Sequence, residues 1–116
     1  MKIRTIYQKV QNMEAARTFW ESFLGLKPSK NSTNWCQFDL ENINFALLLN
    51  VFDDELKGSN TVPVFELPEN EITKIVEKAK ALGCAVIIDG LENPDMQSIV
   101  LKDPSGSEFE ISKFHS

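Results

Sequence analysis

The stretch Asp103-Pro104-Ser105-Gly106-Ser107-Glu108-Phe109-Glu110-Ile111 decides how this chain folds. Its first half is turn chemistry. Pro104 presets φ, and Gly106 accepts a positive φ that a side chain resists. Its second half alternates. Phe109 and Ile111 point to one side of a strand, Glu108 and Glu110 to the other. The apolar pair is suited to lie under a helix. The acidic pair must face water, a ligand or a metal, and which of these Glu110 faces is the functional question.

The same grammar runs through the chain. Residues 3–10 alternate as a strand, with Ile6, Gln8 and Val10 on one face and Thr5, Tyr7 and Lys9 on the other. Asn12 is an N-cap candidate, and Glu14 lies where a helix dipole favours a carboxylate. Met13, Ala16, Trp20, Phe23 and Leu24 form one helical stripe, closed by Gly25. Strands are expected over 26–30, 35–40 and 43–50. In the second of these, Trp35, Gln37 and Asp39 oppose Cys36, Phe38 and Leu40. In the third, Phe45, Leu47 and Leu49 oppose Ala46 and Leu48. Residues 53–60 read as a linker. The pattern then restarts, with a strand over 61–67 and an N-cap at Asn70. A stripe follows through Ile72, Ile75, Val76, Ala79 and Leu82, then Gly83. Further strands are expected over 84–88 and 96–102, with a loop over 89–95, before the stretch that closes the chain.

The halves therefore echo each other. Asn12 and Asn70 are 58 apart, as are Gly25 and Gly83, whereas the later hairpins match at 64, Asp39 with Asp103 and Phe45 with Phe109. Each half reads strand, helix, strand, strand, strand, which is an internal duplication. One such half covers a single sheet face with its helix and leaves the other open. Two halves side by side could curl their open faces into a shared groove, and pockets form at such junctions.

Composition narrows the function classes. Of 116 residues, 42% are hydrophobic and 25% charged, as in a globular domain with a real core. The net charge is −5 and the twelve basic residues are scattered, so a broad nucleic-acid surface is not expected. The apolar runs at 45–49 and 84–88 are far too short for a membrane span, and residues 1–6 lack the apolar core of a signal peptide. Cys36 and Cys84 stand far apart among apolar neighbours. They read as small buried hydrophobes, which fits a reducing cytoplasm. No nucleophile elbow, phosphate loop or Cys–His pairing is present.

The pattern Val10-x-x-Met13-x-x-Ala16-x-x-Phe19-Trp20-x-x-x-Leu24-Gly25-Leu26, followed near the end by Asp103-Pro104-x-Gly106-x-x-x-Glu110, resembles the vicinal oxygen chelate superfamily. This superfamily holds glyoxalases, extradiol dioxygenases, and fosfomycin- and bleomycin-resistance proteins. The resemblance covers essentially the whole chain. It implies an α+β fold of two tandem βαβββ modules whose mixed sheet is cupped. The modules would span 1–52 and 61–116 of a single domain, which would pair as a homodimer.

Family enzymes hold a divalent metal in the groove, with ligands from the first and last strands of each module. Carried onto this chain, those positions fall at Thr5, with Tyr7 on the same face, at Leu49 or Leu47, near Val64 with Glu66 one step along, and at Glu110. Only Glu110 matches, so neither a metal nor another cofactor is expected. His115 reads as a tail residue. The expected function, as the resemblance implies it, is capture of a small molecule in a metal-free groove, with sequestration of an antibiotic or toxic compound as its specific form and Tyr7, Trp35, Gln37, Asp39, Leu49, Glu66 and Glu110 as binding residues. Trp35 could stack on a flat or cationic ligand or simply pack. Glu110 could bind a ligand's donor, act as a base, or face water. No catalytic residue is assigned. The alternative is a metal-dependent lyase, isomerase or dioxygenase of the same superfamily.

Overall fold

The computed structural model describes residues 3–51 and 61–113; the expected linker at 53–60 and His115 lie outside them. The chain divides into two compact units, Met1–Leu56 and Lys57–Ser116. The first contains β1 (Thr5–Val10), α1 (Met13–Leu24), β2 (Lys30–Asn31), β3 (Trp35–Asp39) and β4 (Asn44–Leu49). The second contains β5 (Val64–Leu67), α2 (Glu69–Ala81), β6 (Ala85–Gly90), β7 (Ser98–Lys102) and β8 (Glu108–Lys113). The sheet orders are β1-β4-β3-β2 and β5-β8-β7-β6. Each has one parallel pair, first strand against last, and two antiparallel pairs. The parallel pair follows from the helix, which supplies the crossover that parallel strands need.

In the first unit, the Asn12 side chain accepts from the Ala15 N–H at 3.0 Å and starts α1. Gly25 ends it in the left-handed region at φ 66° and returns its N–H to the Glu21 carbonyl. Trp20, Phe19 and Phe23 are buried, as are Phe38, Phe45 and Leu47 of the sheet. Trp20 and Phe45 meet with ring centroids 4.7 Å apart. Full burial of each such side chain is worth about 1.5–3 kcal/mol. Gln8 is buried too, on the helix-covered face of β1. In the second unit, Ile72, Val76 and Ala79 of α2 are buried together with Ile99, Leu101, Phe109 and Ile111.

The stretch from Asp103 to Ile111 folds as its residues require. The buried Asp103 carboxylate Oδ1 accepts from the Ser105 N–H at 3.0 Å, the Ser105 hydroxyl at 2.7 Å and the Ser107 N–H at 2.9 Å. Gly106 adopts φ 95°. Phe109 and Ile111 are buried, while Glu108 and Glu110 are half-buried on the other face.

Five local expectations are corrected. The strand at 26–30 shrinks to Lys30–Asn31, since Pro28 has no N–H to offer a ladder. The strand at 61–67 begins at Val64, and Pro63 contributes only its carbonyl, to the Glu110 N–H. Asn70 is not a cap: α2 starts at Glu69 after Pro68, without a side-chain cap bond, and Glu69 and Glu71 occupy its first turn. β6 runs on to Gly90, paired with Ser98, while β7 starts only after Gln97, whose φ of 51° breaks the extended chain. Finally, Asp39 corresponds to Lys102 and not to Asp103. Asp39 pairs with Asn44 as Lys102 pairs with Glu108, and the second turn is one residue longer.

Candidate functional site

The open face of the first sheet is the side of β1, β4 and β3 away from α1. Register fixes what it carries. Tyr7 lies beside Ala46, and Ala46 beside Gln37. Trp35 lies beside Leu48, one step along. Ala46 offers only a methyl group there, so the larger side chains on either side can close over β4. Tyr7 and Trp35 do so, with ring centroids 5.6 Å apart and planes at 62°, an edge-to-face contact.

A polar ladder runs along β3 on the same face. The Trp35 indole Nε1–H donates to Gln37 Oε1 at 3.2 Å, and Gln37 Nε2–H donates to Asp39 Oδ1 at 3.3 Å. The Ser29 hydroxyl donates to the same Asp39 oxygen at 2.8 Å. The ladder holds the indole in one orientation. Beside it is a hollow of about 420 Å³, open to solvent, with Tyr7, Trp35, Gln37, Arg4, Lys30 and Asn44 in its walls. Gln37 is buried, whereas Tyr7 remains 46% exposed.

Three of the expected binding residues, Tyr7, Trp35 and Gln37, therefore meet at one hollow. Asp39 is exposed at the far end of the ladder and does not line it. Leu49 is a correction. It shares the helix-covered face with Phe45 and Leu47 and lines a different depression, with Asn12, Met13 and Arg17. The match of Phe45 with Phe109 makes Ala46, not Leu49, the counterpart of Glu110. Likewise Tyr7, not Thr5, is the counterpart of Val64, because Tyr7 pairs with Ala46 as Val64 pairs with Glu110. Arg4, Lys30 and Asn44 were missed. Lys30 becomes visible only through its pairing with Gln37, and Asn44 through its pairing with both Thr5 and Asp39.

Glu66 and Glu110 belong to the second sheet. Glu110 accepts from the Ser98 hydroxyl at 2.8 Å and lies beside Val64 and Val100. Glu66 is exposed on the same face, beside Ser112. The family's metal chemistry can be tested against these residues. By register, the positions matching the family's ligand sites are Tyr7 and Ala46 in the first unit and Val64 and Glu110 in the second. They offer one carboxylate, one phenol and two hydrocarbon groups, where a catalytic metal centre commonly draws three protein ligands. Neither pair fits a divalent ion, and among the described residues no group of three or more His, Cys, Asp or Glu side chains could hold one.

A family model described as Glyoxalase/Bleomycin resistance protein/Dioxygenase superfamily matches residues 2–111. No curated protein matches this sequence. Solved structures share the fold. A protein from Agrobacterium tumefaciens superposes with a TM-score of 0.84 at 17% identity, covering 100% of this chain and 99% of its own. The genomically encoded fosfomycin resistance protein of Listeria monocytogenes gives 0.81 at 16%, covering 98% and 91%. A glyoxalase-related enzyme from Fulvimarina pelagi gives 0.80 at 16%, covering 98% and 88%.

Proposed function

Because this chain belongs to the Glyoxalase/Bleomycin resistance protein/Dioxygenase superfamily, we propose that it captures a small organic molecule on the open face of its first sheet, without a metal centre. The observation that carries this reading is the Tyr7–Trp35 pair at the hollow, held by the ladder through Gln37 and Asp39. An aromatic wall whose polar edge is already bonded presents a fixed apolar surface to a flat ligand. Such preorganisation reduces the ordering cost of binding. Capture fits better than metal-assisted turnover because Glu110 stands alone among the four positions that would hold an ion.

Sequestration of an antibiotic or toxic compound is the specific form we infer, in keeping with the resistance protein among the structural relatives. We further propose a cytoplasmic homodimer, which the family resemblance suggests; the two free cysteines accord with a reducing compartment. Glu66 and Glu110 then serve as acidic groups of the second sheet.

Intrinsic fluorescence tests the reading. Of two tryptophans, Trp20 is 1% exposed in the core and Trp35 lies at the hollow. Flat aromatic compounds should quench the emission saturably, and Trp35→Phe should abolish that response. Quenching that persists through Trp20 in the variant, or no saturation up to millimolar ligand, would overturn it.

A further inference from the structure

We infer that the ligand of this hollow is an anion: a flat, aromatic or conjugated molecule bearing a carboxylate or a comparable acidic group. The inference rests on the proposal that the hollow is a binding site and adds the charge of what fills it. The chain as a whole is acidic, with 17 Asp and Glu against 12 Lys and Arg. The hollow reverses that balance. Arg4 and Lys30 stand in its wall, and among the described residues no carboxylate does. Among the described residues neither cation is in an ion pair.

The nearby polar groups sharpen the sign. Asp39 is the acid on the same strand face, but it stands at the far end of the ladder, where its Oδ1 accepts from Ser29 and from Gln37, and does not line the hollow. The Trp35 N–H is committed to Gln37. A cationic ligand would thus meet two like charges and, among the described residues, no carboxylate in the wall. An anion meets a guanidinium, which can bind a carboxylate through two parallel N–H groups, and an ammonium that also stands in the wall. Its ring would lie against Tyr7 and Trp35. The two ends of the ligand would then be read by different chemistry, the acidic group by charge and the ring by shape.

The test uses the full chain with 2-naphthoate, its neutral isostere 2-naphthamide, and 2-naphthylmethylammonium, each titrated by Trp35 emission at low salt. Two exposed cations should favour the carboxylate over the amide about tenfold. The preference should shrink as salt is raised towards 1 M, because such contacts are screened. Arg4→Gln combined with Lys30→Gln should bring the carboxylate-to-amide ratio close to one. Both residues are exposed, so the variant should melt near the parent temperature. Equal binding of amide and carboxylate, tighter binding of the ammonium, or a preference that survives in the double variant would each overturn the anion while leaving the hollow as a binding site. Failure of all three compounds to bind would remove the hollow itself from consideration.

Discussion

Cys84 lies just past the C-terminal end of α2, and its thiol feels the turn that Asp103 organises. Burial, with a smaller contribution from the Asp103 carboxylate, pushes that thiol from 9.0 up to about 11. The consequence for stability has a definite sign. Between pH 9 and 11 the unfolded chain has lost the Cys84 proton while the folded chain still holds it. The folded state then binds more protons, so its stability falls as pH rises through that window. The contribution is intact below pH 9. The difference in unfolding free energy between the parent and Cys84→Ser should therefore be flat from pH 7 to 8.5 and shift against the parent above pH 9. A constant difference up to pH 11 would sink this account. That Tyr7, Trp35 and Gln37 share the open face was legible because strand alternation is a local rule that each sequence segment states for itself. Leu49 was misread, although the same alternation places it with Phe45, because the duplicated position was carried over without the strand register. Arg4 and Lys30 gave no local signal. What brings them to the hollow is non-local: the β1–β4 pairing for one and the β2–β3 pairing for the other.

At the scale of elements, the end of β6 shows how a glycine can fix the length of a strand. A Cβ added at Gly90 would run into the Met96 thioether and lie 3.0 Å from the Ser98 carbonyl oxygen. The loop from Leu91 to Gln97 folds back so closely because the Asn93 side chain accepts from the Asp95 and Met96 N–H groups. Gly90→Ala should thus destabilise the protein by about 1–3 kcal/mol, the usual range for overpacking a buried site. Urea unfolding measures this. Met96→Ala in the same chain should recover part of the loss, leaving the contact with the Ser98 backbone. If the cost is the same with Met96 trimmed, the thioether is not the obstacle. The sequence shows Gly90 and Pro94 as loop residues and so ends the strand two positions early; nothing in the local pattern reveals that Gly90 still pairs with Ser98. The start of α2 was obscured for a related reason. Asn70 has the chemistry of a cap, but Pro68 fixes the chain one turn position earlier, and the first-turn carboxylates Glu69 and Glu71 take over the favourable interaction with the helix dipole.

Across the whole molecule, one topology is written twice and then used differently. The duplication was legible because caps, glycine helix ends and hairpins recur in order, and the two sheets indeed share strand order and pairing. The exact correspondence was not, since the helix and the last turn each differ between halves by one residue, and a one-residue error moves a side chain to the opposite face. Corrected by register, Tyr7 and Ala46 in one sheet correspond to Val64 and Glu110 in the other. That quartet leads to the prediction at this scale. Zn, Ni, Mn or Fe(II) should leave the melting temperature of chelator-treated protein unchanged. A bound ion at a hundred times its dissociation constant would add about 2.7 kcal/mol. For a chain of this size that corresponds to a rise of roughly 10 °C, well within detection. Glu110→Gln is the informative control, because the amide oxygen can still accept from the Ser98 hydroxyl and keep β7 and β8 joined while the charge is lost. A metal-dependent rise in the parent that disappears in Glu110→Gln would mean that this carboxylate recruits further donors, and capture without a metal would have to be abandoned. No response in either protein would agree with the proposed capture without a metal, and would make the charge of the proposed ligand the next quantity to measure.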